Sequence, residues 1–288
     1  MLGVSNNDPE PAMKRLIHRL PMLITATAVI GMAAYGPIAQ LPDYHRFADQ
    51  SSWLGIGHAA DVLSNVGFAA VALWGGGVLY ARRGHAAYAA GRHGWALFLV
   101  GLLLTAAGST YYHLAPDDFR LVWDRLPIAL ACAGLLAAVR AETRPGGRSG
   151  AAAAGLGLFA VAAVAWWYFS GLHGVGDLRP YLLLQALPMF LIPLWQAGYG
   201  RERGERLRFG LALLCYVLAK LAELADHALL DLTGCLSGHT LKHILATLAA
   251  ALLVAALVRR GPGAVRAARW TRRPGAAEVR RPVSGWPG

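Results

Sequence analysis

The sequence predicts an all-α polytopic membrane bundle, with a seven-helix core and one extra span at its N-terminal side. Three observations predict it. Of 288 residues, 56% are hydrophobic and only 15% charged, against about a quarter charged in an average soluble domain. The apolar residues gather in runs of about twenty, the length that crosses a bilayer. The basic residues behind the net charge of +11 form no single face. They cluster between the apolar runs and in the C-terminal tail, which is the pattern of membrane orientation and speaks against a nucleic-acid partner.

Taken in order, residues 1–15 are polar, contain Pro9 and Pro11, and are expected to be disordered. Lys14, Arg15 and Arg19 precede the first apolar run, about 20–39. Positive residues before an apolar core also describe a cleaved signal peptide. The length of the run and the lack of a clean A-x-A exit favour a retained helix. A polar loop from Leu41 to His58 carries Asp43, Asp49 and Trp53. Core spans follow at about 59–81, 94–115, 119–139, 151–171, 180–199, 207–230 and 239–257, inside a membrane domain of 16–260. The tail, 261–288, is rich in Pro, Gly and Arg without apolar periodicity. Disorder is expected there, with charge able to touch anionic lipid head groups. Cys132, Cys215 and Cys235 make neither a C-x-x-C pair nor an even framework, which argues against a disulfide scaffold or a thiolate metal site.

Basic residues in the short loops set orientation. Lys14/Arg15/Arg19, Arg82/Arg83/Arg92, Arg140/Arg144/Arg148, Arg201/Arg203/Arg206/Arg208 and the tail after Arg259 alternate with loops holding little more than Arg46, Arg120 or Arg179. Both termini are therefore expected on the cytoplasmic side. Composition biased to Ala, Gly and Arg points to a bacterial inner membrane, with the opposite face periplasmic.

Ionisable residues inside spans are costly and mark function by default. At about 1.5 Å per residue, their depths coincide. Ser109 and His113 end the third span, Asp124 lies a turn into the fourth, and His239 and His243 open the last. Asp61, Ser64 and Asn65 occupy the outer turns of the second span; Glu223, Asp226 and His227 occupy those of the seventh. Five helices thus place polar groups in one outer layer, while the inner halves are apolar. Residues four apart share a helical face, so Ser109 stacks with His113 and His239 with His243.

Three imidazoles at one level suit a catalytic zinc, which takes three protein ligands and keeps a fourth position open. An i, i+4 histidine pair is one way to supply two of them. Asp124 could then serve as general base and acid, and Ser109 could donate a hydrogen bond to an oxyanion. Asn65, Glu223, Asp226 and His227 suit outer partners that orient the ligand imidazoles. The bland readings stand beside these. His58, His173 and His227 read as snorkelling or hydrogen-bonded interfacial residues. Ser64 and Asn65 can simply bond helix to helix. Lys242 is expected to point to the interface.

At these residues the sequence resembles the alkaline ceramidase family, within a superfamily of seven-helix membrane hydrolases that also includes the progestin and adiponectin receptors. The matching features are S-x-x-x-H at Ser109 to His113, D-x-L-P at Asp124 to Pro127, H-x-x-x-H at His239 to His243, and V-L-S-N at Val62 to Asn65. The resemblance covers roughly Asp43 to Leu257. It implies zinc held by His113, His239 and His243, a water activated by Asp124, and an amide carbonyl polarised with help from Ser109. The implied reaction cleaves an N-acyl lipid, such as ceramide, into a fatty acid and an amine. Eukaryotic members carry an acidic cluster suited to calcium before the first core helix. Here that region offers Asp43, Asp49 and Asp61, with His58 where a carboxylate is expected, which argues against Ca2+. The extra N-terminal span lies outside the family's seven-helix core.

The sequence therefore predicts a membrane zinc hydrolase whose lipid substrate enters sideways from the outer leaflet. Two alternatives remain open: a receptor-like sensor with a structural zinc site, and a haem-binding membrane protein with histidine axial ligands. The absence of C-x-x-C-H speaks against attached haem. H-T-L-K-H, lacking a glutamate after its first histidine, speaks against an H-E-x-x-H protease.

Overall fold

A computed structural model of the chain describes residues 11–144, 146–199 and 201–260, with side chains described from Arg19 onward. The helices, in order, are α1 (Pro11–Tyr35), α2 (Ala59–Ser64), α3 (Val66–Ala81), α4 (Ala86–Ala89), α5 (Arg92–Leu114), α6 (Asp118–Glu142), α7 (Gly150–Leu172), α8 (Arg179–Gly198), α9 (Arg203–Leu224), α10 (Asp226–Thr233) and α11 (Gly238–Val258). A two-residue hairpin, β1 (Ser52–Trp53) with β2 (Ile56–Gly57), precedes α2. The chain is an all-α polytopic membrane bundle. Among the described residues, six helices are long and apolar enough to cross a membrane, α2 and α3 counting as one. Large apolar side chains such as Leu73, Leu158, Phe190 and Leu248 stand exposed along them. In water such surface would drive association; in lipid it faces its natural solvent.

Most expected spans coincide with helices to within a few residues, and two, the first and the seventh, differ. Residues 11–15, expected to be disordered, belong to the helix Pro11–Tyr35. That helix ends at Tyr35, before Gly36 turns the chain at φ 92°. The expected seventh span, 207–230, is broken: α9 stops at Leu224 and α10 begins anew at Asp226. α9 is long enough to span but falls outside the six apolar helices, since it carries charge at both ends, Arg203, Glu205, Arg206 and Arg208 at its start and Lys220 and Glu223 near its end. The expected tail, 261–288, and residues 1–10 lie outside the described residues.

The seven-helix core consists of α2/α3, α5, α6, α7, α8, α9 and α11, with α6 the most deeply buried of the six apolar spans. α5 and α6 meet backbone to backbone. Gly94, Gly101 and Gly108 recur every seven residues on α5, and Gly134 answers from α6. A Cβ at Gly94 would strike Ala138, one at Gly101 would strike Ala131, and one at Gly108 would strike the Trp123 carbonyl. Small residues at such a seam let helices approach closely where lipid supplies no hydrophobic drive. The Asp117 carboxylate caps α6 by accepting from the Arg120 N–H at 2.7 Å. The Ser237 hydroxyl caps α11 by accepting from the Thr240 N–H at 3.0 Å. Each of these two caps satisfies N–H groups that a helix start leaves unpaired, and each lies at the pole where the histidines collect.

Candidate metal centre

Three helix ends bring the site together. The last turn of α5 supplies His113, and the first turns of α11 supply His239 and His243. All three are buried, and each offers a nitrogen within 4.8 Å of the others. The rings lie edge to face, with centroids 4.7 Å apart for His113 and His239, 5.1 Å for His113 and His243, and 4.9 Å for His239 and His243. Ser109, one turn before His113, and Asp124, one turn into α6, are buried beside each other. The Gly108 contact with the Trp123 carbonyl sets their separation, because each glycine-seam partner immediately precedes a site residue.

An apolar cavity of about 210 Å³ runs from this pole into the bundle. Its polar end holds Ser109, Asp124, Glu223, Lys242 and His243. Deeper, it is walled by residues such as Phe98, Leu135, Ile192 and Leu253. From Ser109 to Phe98 the cavity follows α5 for about 16 Å at 1.5 Å per residue. A chain-like apolar ligand fits such a shape, with its polar group at the histidine end.

The metal reading can be tested on the donors themselves. His113 is wholly buried, yet neither ring nitrogen has a hydrogen-bond partner. Buried polar atoms are nearly always satisfied, and one that is not calls for a reason such as an ion. Three imidazoles with converging nitrogens are a donor set suited to zinc. The cluster fits a metal ion.

The outer partners differ from expectation, and the corrections share one cause: each polar group goes to the nearest unpaired backbone or charge. The Asn65 amide donates to the Asp61 carbonyl at 2.9 Å, stapling α2 to α3. Asp226 accepts from the His239 backbone N–H at 2.7 Å and from the Ala48 N–H at 2.9 Å, so it holds the α11 terminus and not an imidazole. His227 is exposed and contacts the Arg46 carbonyl at 3.2 Å, away from the cluster. Glu223 pairs with Lys220 at 2.8 Å and with Lys242 at 3.1 Å. It reaches the histidines only through Lys242, whose Nζ lies 2.6 Å from His239 Nε2. Lys242 thus turns inward rather than to the interface, because a buried carboxylate needs a counter-charge. Besides Lys242, the polar groups that touch the cluster imidazoles are Ser64, with its hydroxyl 2.8 Å from His243 Nδ1, and Asp61, with its carbonyl 3.2 Å from the same nitrogen.

The loop before α2 is a cap over the cluster. Phe47 packs its ring 4.5 Å from both His113 and His239. Ala48 is held by Asp226, and the Asp49 carboxylate accepts from the Asp61 N–H at 3.0 Å and the Ser51 N–H at 2.9 Å. Burial alone would raise the Asp49 carboxyl, but these donors outweigh it and hold it below its ordinary value. Of the other acidic residues in this region, Asp43 pairs with Arg46, and Asp61 accepts from Thr240. His58 contacts the Asp49 carbonyl, and His173 the Phe169 carbonyl at 2.9 Å. The three cysteines are free thiols. Compared with protein-family models, curated proteins and solved structures, the chain matches none, and its chemistry rests on the residues themselves.

Proposed function

We propose that this chain is a zinc-dependent amidase that hydrolyses the N-acyl bond of ceramide or a ceramide-like membrane lipid. The observation that carries the proposal is the convergence of His113, His239 and His243 in one buried cluster, of which His243 lines the polar end of a long apolar cavity beside Asp124 and Ser109. The motif resemblance to alkaline ceramidases supports the substrate class. Loop arginines support a topology with both termini cytoplasmic and the site in the outer leaflet of a bacterial inner membrane.

A zinc ion on the three histidines would lower the pKa of a bound water to about 7 and draw electrons from the amide carbonyl. The apolar cavity takes the acyl chain and places the amide at its polar end. The Asp124 carboxylate accepts a proton from the attacking water as the new C–O bond forms. The Ser109 hydroxyl donates to the carbonyl oxygen as charge develops on it. As the C–N bond breaks, Asp124 returns the proton to the departing nitrogen. One amide and one water become one fatty acid and one amine.

The histidine geometry speaks against haem, since centroids 4.7 to 5.1 Å apart leave no room for a macrocycle between two rings. A receptor-like sensor would keep the metal without turnover. The decisive experiment pairs metal analysis of detergent-purified protein with fatty-acid release from a panel of N-acyl lipids, wild type beside His243→Ala. The expected result is about one zinc per chain and measurable release, both lost in the variant. A folded wild type, prepared without chelator and still free of metal, would overturn the reading.

A further inference from the structure

Asp61 has no role in the chemistry above, yet it is wholly buried and meets two of the three ligand histidines. Its Oδ2 lies 4.0 Å from His113 Nδ1, and neither atom has another partner. Its main-chain carbonyl lies 3.2 Å from His243 Nδ1. The same ring nitrogen is 2.8 Å from the Ser64 hydroxyl, which itself donates to the Asp61 carbonyl at 2.8 Å. The first turn of α2 therefore presents acceptors to the Nδ1 side of histidines from two other helices.

Asp61 is itself held from several sides. Thr240, between the two α11 histidines, donates to Oδ1 at 2.5 Å, with Ser237 at 3.4 Å. The Asp61 N–H donates to Asp49, and the Asn65 amide donates to the Asp61 carbonyl. The oxygen left over is the one aimed at His113. Asp61 does not line the cavity, whereas Asp124 does. A carboxylate behind the imidazoles cannot reach a substrate amide in front of them, which separates its task from that of Asp124.

Resting on the metal reading, we propose that Asp61 is the positioning residue of the centre. Its carboxylate, 4.0 Å from His113 Nδ1, is placed to accept a hydrogen bond from that N–H once the metal draws the ring into position, and its carbonyl, with Ser64, takes the corresponding position at His243. Both rings are thereby fixed as the tautomer that leaves Nε2 as the ligand atom. A carboxylate in this place also raises imidazole basicity, and losing such a partner typically costs about 10- to 100-fold in metal affinity.

The test is zinc affinity by chelator competition on the full-length protein in detergent, for wild type, His243→Ala, Asp61→Asn and Asp61→Ala. Nitrogen NMR of labelled histidines on the same samples supplies a second readout. Asp61→Asn keeps the shape and an acceptor for Thr240, so it stays informative if Asp61→Ala fails to fold. The expected result is weaker binding by about tenfold or more in Asp61→Asn, with His113 no longer held as a single Nδ1–H tautomer. A folded Asp61→Asn that binds zinc as tightly as wild type, with unchanged histidine signals, overturns the proposal while the zinc site stands. If wild type and His243→Ala bind zinc equally weakly, the metal reading itself fails and the proposal falls with it.

Discussion

Lys242 Nζ lies 2.6 Å from His239 Nε2, so a ligand nitrogen of the cluster contacts an ammonium one turn along its own helix. The same ammonium is 3.1 Å from Glu223. A metal at His239 needs that lone pair, and Lys242 must then rest on Glu223 alone. Two unit charges a few ångström apart interact by about 1 to 4 kcal/mol between bulk-water and protein-surface conditions. Lys242→Met is expected to tighten zinc binding by about tenfold, a change of 1.4 kcal/mol that lies within this range. Competition titration against a chromophoric chelator reads the change.

Asp124 and Ser109 flank the cavity's polar end without belonging to the histidine cluster. Asp124→Asn is expected to retain zinc and to lose fatty-acid release by about 10²- to 10⁴-fold, the usual contribution of a positioned acid or base. Ser109→Ala is expected to lose about 10²- to 10³-fold, as for one oxyanion donor. Metal analysis beside single-turnover kinetics separates these losses from a loss of the ion.

Gly108 lets α5 lie against the Trp123 carbonyl, one residue before Asp124. A side chain there has only backbone to push on, and backbone does not yield as a flexible side chain would. Gly108→Val is expected to destabilise the fold by about 1 to 3 kcal/mol, the usual cost of overpacking, and to reduce turnover by moving Asp124 from Ser109. The melting temperature of the solubilised protein checks the first effect. Gly76→Val serves as a control, since nothing lies within 4 Å of a Cβ there.

Asp177 joins the extended segment after α1 to the start of α8. It accepts from the Ile38 N–H at 3.3 Å, Trp166 Nε1 at 2.9 Å and the Arg179 guanidinium at 2.9 Å. Burial alone would raise its carboxyl, but these donors hold it well below the usual carboxylate range. A folded-state value below the unfolded value near 3.9 means the stabilisation is complete at neutral pH and is lost as pH falls below about 4. Asp177→Asn should therefore be less stable than wild type by about 2 kcal/mol at pH 7, the scale of hydrogen bonds to a charged group. The difference should shrink in strong acid. Unfolding measured across that range tests both the size and the sign.

The helices and the two i, i+4 pairs were legible in the sequence because both depend on local spacing, and the meeting of His113 with the α11 pair was legible from their shared depth in the membrane. Apolar runs bounded by arginines give spans, and Ser109/His113 and His239/His243 share faces whatever surrounds them. Long-range pairing was not legible. Lys242 turns inward because of Glu223 on another helix, and Asp226 is taken by Ala48, 178 residues away in sequence. α9 read as a plain span whose end carried outer partners, yet Asp226 starts a new helix after the break at Ala225. Asp61 was visible as an intramembrane acid. Its direction toward His113 depends on Thr240 and Asp49 occupying its other polar atoms.

The Phe47 cap has a consequence for time rather than for strength. Its ring covers His113 and His239, and the backbone around it is tied to Asp226 and, through Asp49, to Asp61. An ion that exchanged on the loop side would wait for these ties to open together, and such local opening has its own free energy, distinct from that of binding. Stripping by a chelator would then proceed at a rate independent of chelator concentration once the chelator is in excess. Phe47→Ala would quicken that exchange, leaving the ligand set in place.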